Sequence, residues 1–76
     1  MSEGTLIRWG GKGFGFLKPD AGRTEVFLHI SALHHAGIKT EPMVGDRFMF
    51  DVNKRADGRP FAENVRPVED GNGQQG

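Results

Sequence analysis

Glycine and phenylalanine alternate in the segment Gly13-Phe14-Gly15-Phe16, and this alternation constrains the fold of the 76-residue chain more than any other feature. Successive residues of a β-strand point to opposite faces, so the two rings share one face and the glycines share the other. Glycine and proline are poor helix formers, and the chain contains 12 glycines and 4 prolines. The sequence therefore predicts a small all-β domain built from short strands.

Five strands and one helical turn follow from the spacing of apolar residues and turn residues. The strands are predicted at residues 5–9, 13–18, 25–30, 47–53 and 60–65, and the helical turn at residues 31–35. Ser31 is expected to cap the helical turn, and Asp57-Gly58 is expected to form a hairpin. The folded domain spans residues 1–67, and the polar residues 68–76 are expected to form a disordered tail.

Alternation also predicts which side chains fill the core. The predicted core comprises Leu6 or Ile7, Leu17, Val26, Leu28, Leu33, Val44, Phe48, Phe50, Val52 and Val65. This set leaves Phe14, Phe16 and Phe27 outside it, with His29 on the same face as Phe27. Exposed phenylalanines seldom cluster unless they bind something. The alternative is that a bulge inverts the faces and these rings belong to the core.

Single-stranded nucleic acid is the natural partner of such a cluster, because every base offers a flat face for stacking. Four basic side chains are expected beside the rings, where they would contact phosphates: Arg8, Lys12, Lys18 and Arg59. The chain carries ten basic and ten acidic residues, so its formal net charge is zero. That balance argues against a double-helix binder that depends on many phosphate contacts.

Several other function classes are disfavoured by the composition. The chain has no cysteine, which excludes disulfides and thiolate zinc sites and is typical of a reducing, cytoplasmic compartment. No apolar run reaches membrane-spanning length, so no membrane contact is expected. The three histidines lack a carboxylate at ligand spacing, and Ser31 beside His29 has no acidic partner. We therefore expect no metal, no cofactor, no small-molecule substrate and no enzymatic activity.

Two segments resemble the motifs of a known family. Residues 12–17 (KGFGFL) resemble the first RNP motif of the cold-shock domain, and residues 26–30 (VFLHI) resemble its second. The resemblance covers residues 4–66 and includes Trp9, Ser31-Ala32-Leu33 and the segment 58–65. It implies a five-stranded antiparallel Greek-key barrel, the OB-fold, that binds single-stranded RNA or DNA. By position it implies stacking on Phe14, Phe16, Phe27 and His29, stacking at the edge by Trp9, and charge from Arg8 and Lys12.

The chain also departs from the family pattern. Cold-shock domains usually carry a Trp-Phe pair, whereas here Trp9 stands alone before a shortened turn. One alignment sets Arg8 at the family's tryptophan position, and the other keeps Trp9 there and shortens the loop by two residues. Ile30 and Ile38 stand where the family commonly has aromatic residues. Phe61 either compensates for these losses at the same surface or fills the core.

The sequence thus predicts a monomeric single-stranded nucleic-acid-binding protein that acts as an RNA chaperone or a cold-shock-type regulator. A second hypothesis is that the chain is the N-terminal module of a larger protein, membrane-attached or not, with a recruitment role. A third is an OB scaffold that binds a peptide and does not respond to oligonucleotides.

Overall fold

A computed structural model describes residues 1–68, which form five strands and one short helix. The elements are β1 (Ser2–Gly10), β2 (Phe14–Pro19), β3 (Val26–His29), α1 (Ile30–His35), β4 (Arg47–Lys54) and β5 (Pro60–Pro67). Every predicted strand is present; β4 and β5 begin where predicted, and the other strand ends differ by one to three residues. The predicted tail lies, except for Val68, outside the described residues.

The five strands close into a barrel in the order β1-β2-β3-β5-β4. The prediction of an all-β, five-stranded barrel is therefore confirmed. All neighbouring strands run antiparallel except β3 and β5, which run parallel and pair at Phe27 and Phe61. Closure pairs strands that would otherwise have free edges, and it brings the start of β5 beside β3.

Two irregularities reset which residues face inward. In β1 the pairing with β2 shifts by one residue between Leu6 and Arg8, so Ile7 is an extra residue. In the β4–β5 pair the register shifts between Met49 and Asp51, where Asn64 has a φ of 52°. Such bulges insert one residue into one strand and bend it. As a result Leu6 faces the core, while Arg8 faces outward instead of continuing the inward set.

The core lies inside the barrel under α1. The buried apolar residues are Leu6, Leu17, Val26, Leu28, Leu33, Phe48, Phe50, Ala62 and Val65. Two core predictions are wrong, because Val44 is 63% exposed and Val52 is 41% exposed. Val44 lies in the turn before β4, and Val52 lies beyond Phe50, where the pairing of β4 with β1 ends.

The helix α1 follows β3 without a break, and its cap differs from the prediction. His29 is the N-cap residue, and its Nδ1 accepts a hydrogen bond from the Ser31 backbone N–H at 3.1 Å. Ser31 is therefore inside the first turn, and the expectation that it caps the helix is wrong. Gly37, with a φ of 82°, follows the C-terminal end. This junction fixes the His29 ring at the end of β3.

Candidate nucleic-acid interface

Strands β2 and β3 present four rings on the outside of the barrel. Phe14 pairs with His29, and Phe16 pairs with Phe27, so all four side chains share the outer face. The ring of Phe27 is central, with centroids 5.6 Å from Phe14, 5.9 Å from Phe16 and 6.2 Å from His29. Phe14 is 37% exposed, and none of the three phenylalanines belongs to the buried core. We call these four residues the aromatic face.

The rings pack on one another with different orientations. Phe14 and Phe27 stack with 29° between their planes, whereas Phe16 meets Phe27 edge to face at 74°. Both arrangements are favourable for aromatic pairs. Phe14 and His29 are exposed, whereas Phe16 and Phe27 are half-buried. The four rings therefore form one continuous outer surface on which a flat base could stack.

Two arginines lie over rings of the aromatic face. The guanidinium carbon of Arg8 is 4.9 Å from the Phe16 centroid, and that of Arg55 is 5.4 Å from the Phe27 centroid. Both distances are within the range of cation–π attraction. Arg8 also forms an ion pair with Glu25, the residue that precedes β3. The positive charge of Arg8 is thus partly neutralised, although its side chain is 62% exposed.

Sequence reasoning missed Arg55. This residue lies at the base of the β4–β5 hairpin, where its backbone N–H donates to the Arg59 carbonyl at 2.8 Å. The parallel pairing of β5 with β3 brings that hairpin to Phe27. The available signal was the predicted Asp57-Gly58 turn, which has arginine on both sides.

Trp9 is not brought into the aromatic face. It pairs with Gly15, which is buried and faces opposite to Phe14 and Phe16. Trp9 is half-buried and packs against the core, and its indole Nε1–H donates to Glu41 at 2.9 Å. A Cβ at Gly15 would collide with the Arg8 carbonyl and approach the indole ring to 2.9 Å. Glycine at this position therefore lets the two strands and the indole approach closely.

The remaining predicted basic residues lie at three separate places around the aromatic face. Lys12 is exposed in the turn that joins β1 to β2, two residues before Phe14. Lys18 is exposed on β2 and has the same alternation as Phe14 and Phe16, but it lies at the far end of that strand. Arg59 is in the β4–β5 hairpin with its side chain 81% exposed, 3.8 Å from Asp57.

Phe61 lies beside Phe27 at the start of β5. It is half-buried and precedes the buried Ala62, so it faces outward with Phe27. Both rings line an open groove of about 1200 Å³ between α1 and β5, which we call the α1–β5 groove. Its walls include His29 and His35 on one side and Arg55 and Arg66 on the other. Phe61 therefore extends the set of outward rings and does not fill the core.

A cluster of charged residues lies at the opposite end of the β1–β2 pair. Arg47 donates to Asp20 at 2.5 and 3.0 Å, to Glu3 at 2.6 Å and to the Thr5 hydroxyl at 2.8 Å. We call these four residues the Arg47 cluster. Hydrogen bonding from Arg47 holds the pKa of Asp20 below its ordinary value. Hydrogen bonds from Arg47 to Asp20 and Glu3 raise the pKa of the guanidinium.

Within residues 1–68, no three histidine or acidic side chains are grouped so that they could hold a metal ion. In the same range, no helix has the length and apolar character needed to cross a membrane.

Comparison with known proteins identifies the family. The model of the 'Cold-shock' DNA-binding domain matches residues 4–68. The chain is 39% identical over 69 residues to cold shock protein CspA of Rhizobium meliloti, covering 87% of this chain and 97% of that protein. It is 44% identical over 54 residues to the cold shock-like protein CspE of Escherichia coli, covering 71% of this chain and 75% of that protein.

The chain belongs to the cold-shock domain family. A third relative, cold shock protein ScoF of Streptomyces coelicolor, is 38% identical over 70 residues and is covered in full. The resemblance carried by the two RNP-like segments is thus confirmed. The family is described as a DNA-binding domain, and the relatives are named cold shock proteins, which supports nucleic-acid binding by this chain and a cold-shock-type role.

Membership of the cold-shock domain family also bears on the two alignments of β1. The resemblance implied a stacking role for the family's tryptophan, and in this chain Arg8 is the β1 residue that pairs with Phe16 on the outer face. The observed register agrees with the alignment in which Arg8 stands at the tryptophan position.

Proposed function

We propose that the protein binds single-stranded RNA or DNA by stacking bases on the aromatic face. The observation that carries this proposal is the continuity of the four rings. The ring centroids of Phe14, Phe16 and His29 each lie 5.6 to 6.2 Å from that of Phe27. Base stacking on an aromatic side chain contributes about 1–3 kcal/mol per base and tolerates any sequence. Three or four such contacts suffice for a weak, sequence-tolerant interaction.

Basic residues around the rings complete the proposed site. Lys12 and Lys18 mark the two ends of β2, and Arg59 marks the hairpin, so each would meet the phosphates of a strand that crosses the rings. Arg8 would contact the strand either through its guanidinium plane or by exchanging Glu25 for a phosphate. Stacking on Trp9 at the edge stays a prediction, since this residue is half-buried on the inner side.

The proposed activity is that of an RNA chaperone. Bases stacked on Phe14, Phe16 or Phe27 cannot pair at the same time, so binding competes with the base pairs of short RNA structures. Binding energy alone drives this competition, and no nucleotide hydrolysis is needed. The expected result is transient opening of weak hairpins, which can close again once the RNA dissociates from the protein.

The test of binding is a fluorescence anisotropy titration of a labelled seven-nucleotide oligothymidine at two salt concentrations. Changing Phe14 and Phe27 together to Ala is expected to weaken binding about 30-fold or more, from the loss of two stacking contacts. Met43→Ala is the matched control, because Met43 is an apolar side chain that is 72% exposed and distant from the rings in sequence. Retained affinity in a folded double variant, with circular dichroism unchanged, would refute stacking on this face.

The chaperone activity has its own test. An RNA hairpin with a fluorophore and a quencher at its ends is expected to brighten when the protein is added in excess, without ATP. The double variant Phe14→Ala, Phe27→Ala is expected to leave it dark. Binding of the oligothymidine without opening of the hairpin would limit the protein to capture of strands that are already unpaired.

A further inference from the structure

We propose that a bound strand continues past Phe27 onto Phe61 and then along the α1–β5 groove. The footprint would then run from the aromatic face across β5. This inference rests on the proposed function, since it extends the same bound strand. The groove would bind the bases and the sugar–phosphate backbone of about two further nucleotides.

The first support is the position of Phe61. It pairs with Phe27 across the parallel β3–β5 contact, where neighbouring strands lie about 4.8 Å apart. Both rings face outward, and both line the α1–β5 groove. A base that leaves Phe27 on this side therefore meets another aromatic ring next.

The second support is the charge of the groove. Arg55 and Arg66 line it, and within residues 1–68 neither has a carboxylate at salt-bridge distance. Two carboxylates, Asp51 and Glu63, also line the groove, but both have partners. Asp51 accepts from the Asn64 side chain at 2.9 Å and lies 3.9 Å from the N-terminal ammonium, while Glu63 accepts from Asn53. Glu63 has only this neutral partner within residues 1–68 and keeps its negative charge, and Arg66 donates to the Met1 sulfur at 3.3 Å. The guanidinium groups of Arg55 and Arg66 are the cationic donors of the groove, and a guanidinium matches the geometry of a phosphate.

The third support is the length of the groove along β5. Arg66 lies five positions after Phe61 in β5, which is at most about 16 Å of extended strand. At the duplex rise of about 3.4 Å per nucleotide this span would hold nearly five nucleotides, and a strand stretched to about twice that rise would place about two there. On the α1 side, His29 and His35 offer polar groups to the bases or sugars.

The test compares oligothymidines of four and nine nucleotides, since OB-type sites take about 4–16 nucleotides. Phe61→Ala is expected to weaken binding of the nine-nucleotide strand about fivefold or more, and to change binding of the four-nucleotide strand less than twofold. Because Phe61 is half-buried, Phe61→Leu is measured in parallel. It keeps apolar bulk but lacks a π face, so the same length dependence is expected.

Arg66→Gln provides an independent variant at the far end of the groove. It is expected to weaken only the longer strand and to lower the slope of its salt dependence by about 0.7, the value for one phosphate contact with a single strand. Arg23→Gln is the matched control, since Arg23 is an exposed arginine in the loop between β2 and β3 that does not line the groove. It is expected to leave the length dependence unchanged.

The outcomes separate the two proposals. If the wild-type protein binds neither oligonucleotide, the proposed function fails and the extension fails with it. If both strands bind and the Phe61 and Arg66 variants behave as wild type, the bound strand does not use the groove, and the extension is overturned. An equal loss on both strands would place Phe61 in the primary site and would also overturn the extension.

Discussion

The aromatic face and the Arg47 cluster use the same residue type in opposite ways. In the Arg47 cluster the guanidinium donates to Asp20, Glu3 and Thr5, so its hydrogen-bonding capacity is largely used inside the protein. Over the aromatic face, Arg55 lies on a ring and has no carboxylate partner within the described residues. The first arrangement holds strands together, and the second leaves donors for a ligand.

Arg8 lies between these two extremes. It packs over Phe16 as Arg55 packs over Phe27, yet it is also paired with Glu25. Exposure of an arginine therefore does not by itself make its donors free to bind a ligand. What matters is whether its donors are already occupied by carboxylates of the same chain.

The substitution Phe27→Ala is expected to have the largest effect on nucleic-acid affinity, and it tests the contrast between the two regions directly. Phe27 contacts the other three rings and supports Arg55, so its removal takes away one stacking surface and loosens another. Binding of a seven-nucleotide oligothymidine is expected to weaken by about tenfold or more, measured by anisotropy. Arg47→Gln, measured alongside, is expected to keep the affinity of the wild-type protein. A loss of affinity in that variant as large as in Phe27→Ala would erase the distinction between the two regions.

A smaller effect is expected when Arg8 is released from Glu25. The variant Glu25→Gln frees the guanidinium to meet a phosphate, and an exposed ion pair of this kind is worth about 0.2–1 kcal/mol. The affinity is therefore expected to rise by up to about fivefold, with a steeper salt dependence. The measurement is the same titration, repeated in an Arg8→Ala background.

The Arg8→Ala background distinguishes two reasons for a gain. If Glu25 acts by holding Arg8, the gain disappears when Arg8 is absent. If Glu25 merely repels phosphates, the gain persists in both backgrounds. A gain that persists would show that the ion pair with Glu25 does not limit binding by Arg8. Arg8 would then resemble Arg55, whose donors are not occupied by a carboxylate.

The smallest effect concerns the pH dependence of the Arg47 cluster. The pKa of Asp20 is lowered in the folded protein by the hydrogen bond from Arg47. A lowered carboxyl pKa stabilises the fold above the unfolded-state pKa, and this contribution is lost as the pH falls through the folded-state value. The midpoint of urea unfolding is therefore expected to fall as the pH drops below about 4, and to fall less in Asp20→Asn. Parallel pH profiles for the two proteins would assign the acid sensitivity to other carboxylates.

Much of the aromatic face could be predicted from sequence because it depends on local alternation alone. In β2 and β3 no bulge interrupts the pairing, so the rings of Phe14, Phe16 and Phe27 face outward as their spacing indicates. The same reasoning failed at Val52, where alternation holds but the neighbouring strand has ended.

The rest of the site depends on features with no local signal. The approach of Arg55 to Phe27 requires the parallel pairing of β3 with β5, which joins segments more than thirty residues apart. Serine is a common cap, which predicts Ser31 as the cap of α1, but His29 takes that role through its ring nitrogen. The facing of Trp9 depends on one extra residue in β1.

The bulge at Ile7 reverses the inward–outward alternation of the residues that follow it in β1. One inserted residue exchanges the environments of two chain neighbours, so that a cation meets the exterior and an indole meets the interior without any substitution at either site. Related chains that differ only by such an insertion would offer different chemistry to the same strand of nucleic acid. In this fold, the side chains that reach the outer surface of β1 therefore depend on the spacing of residues as well as on their identity.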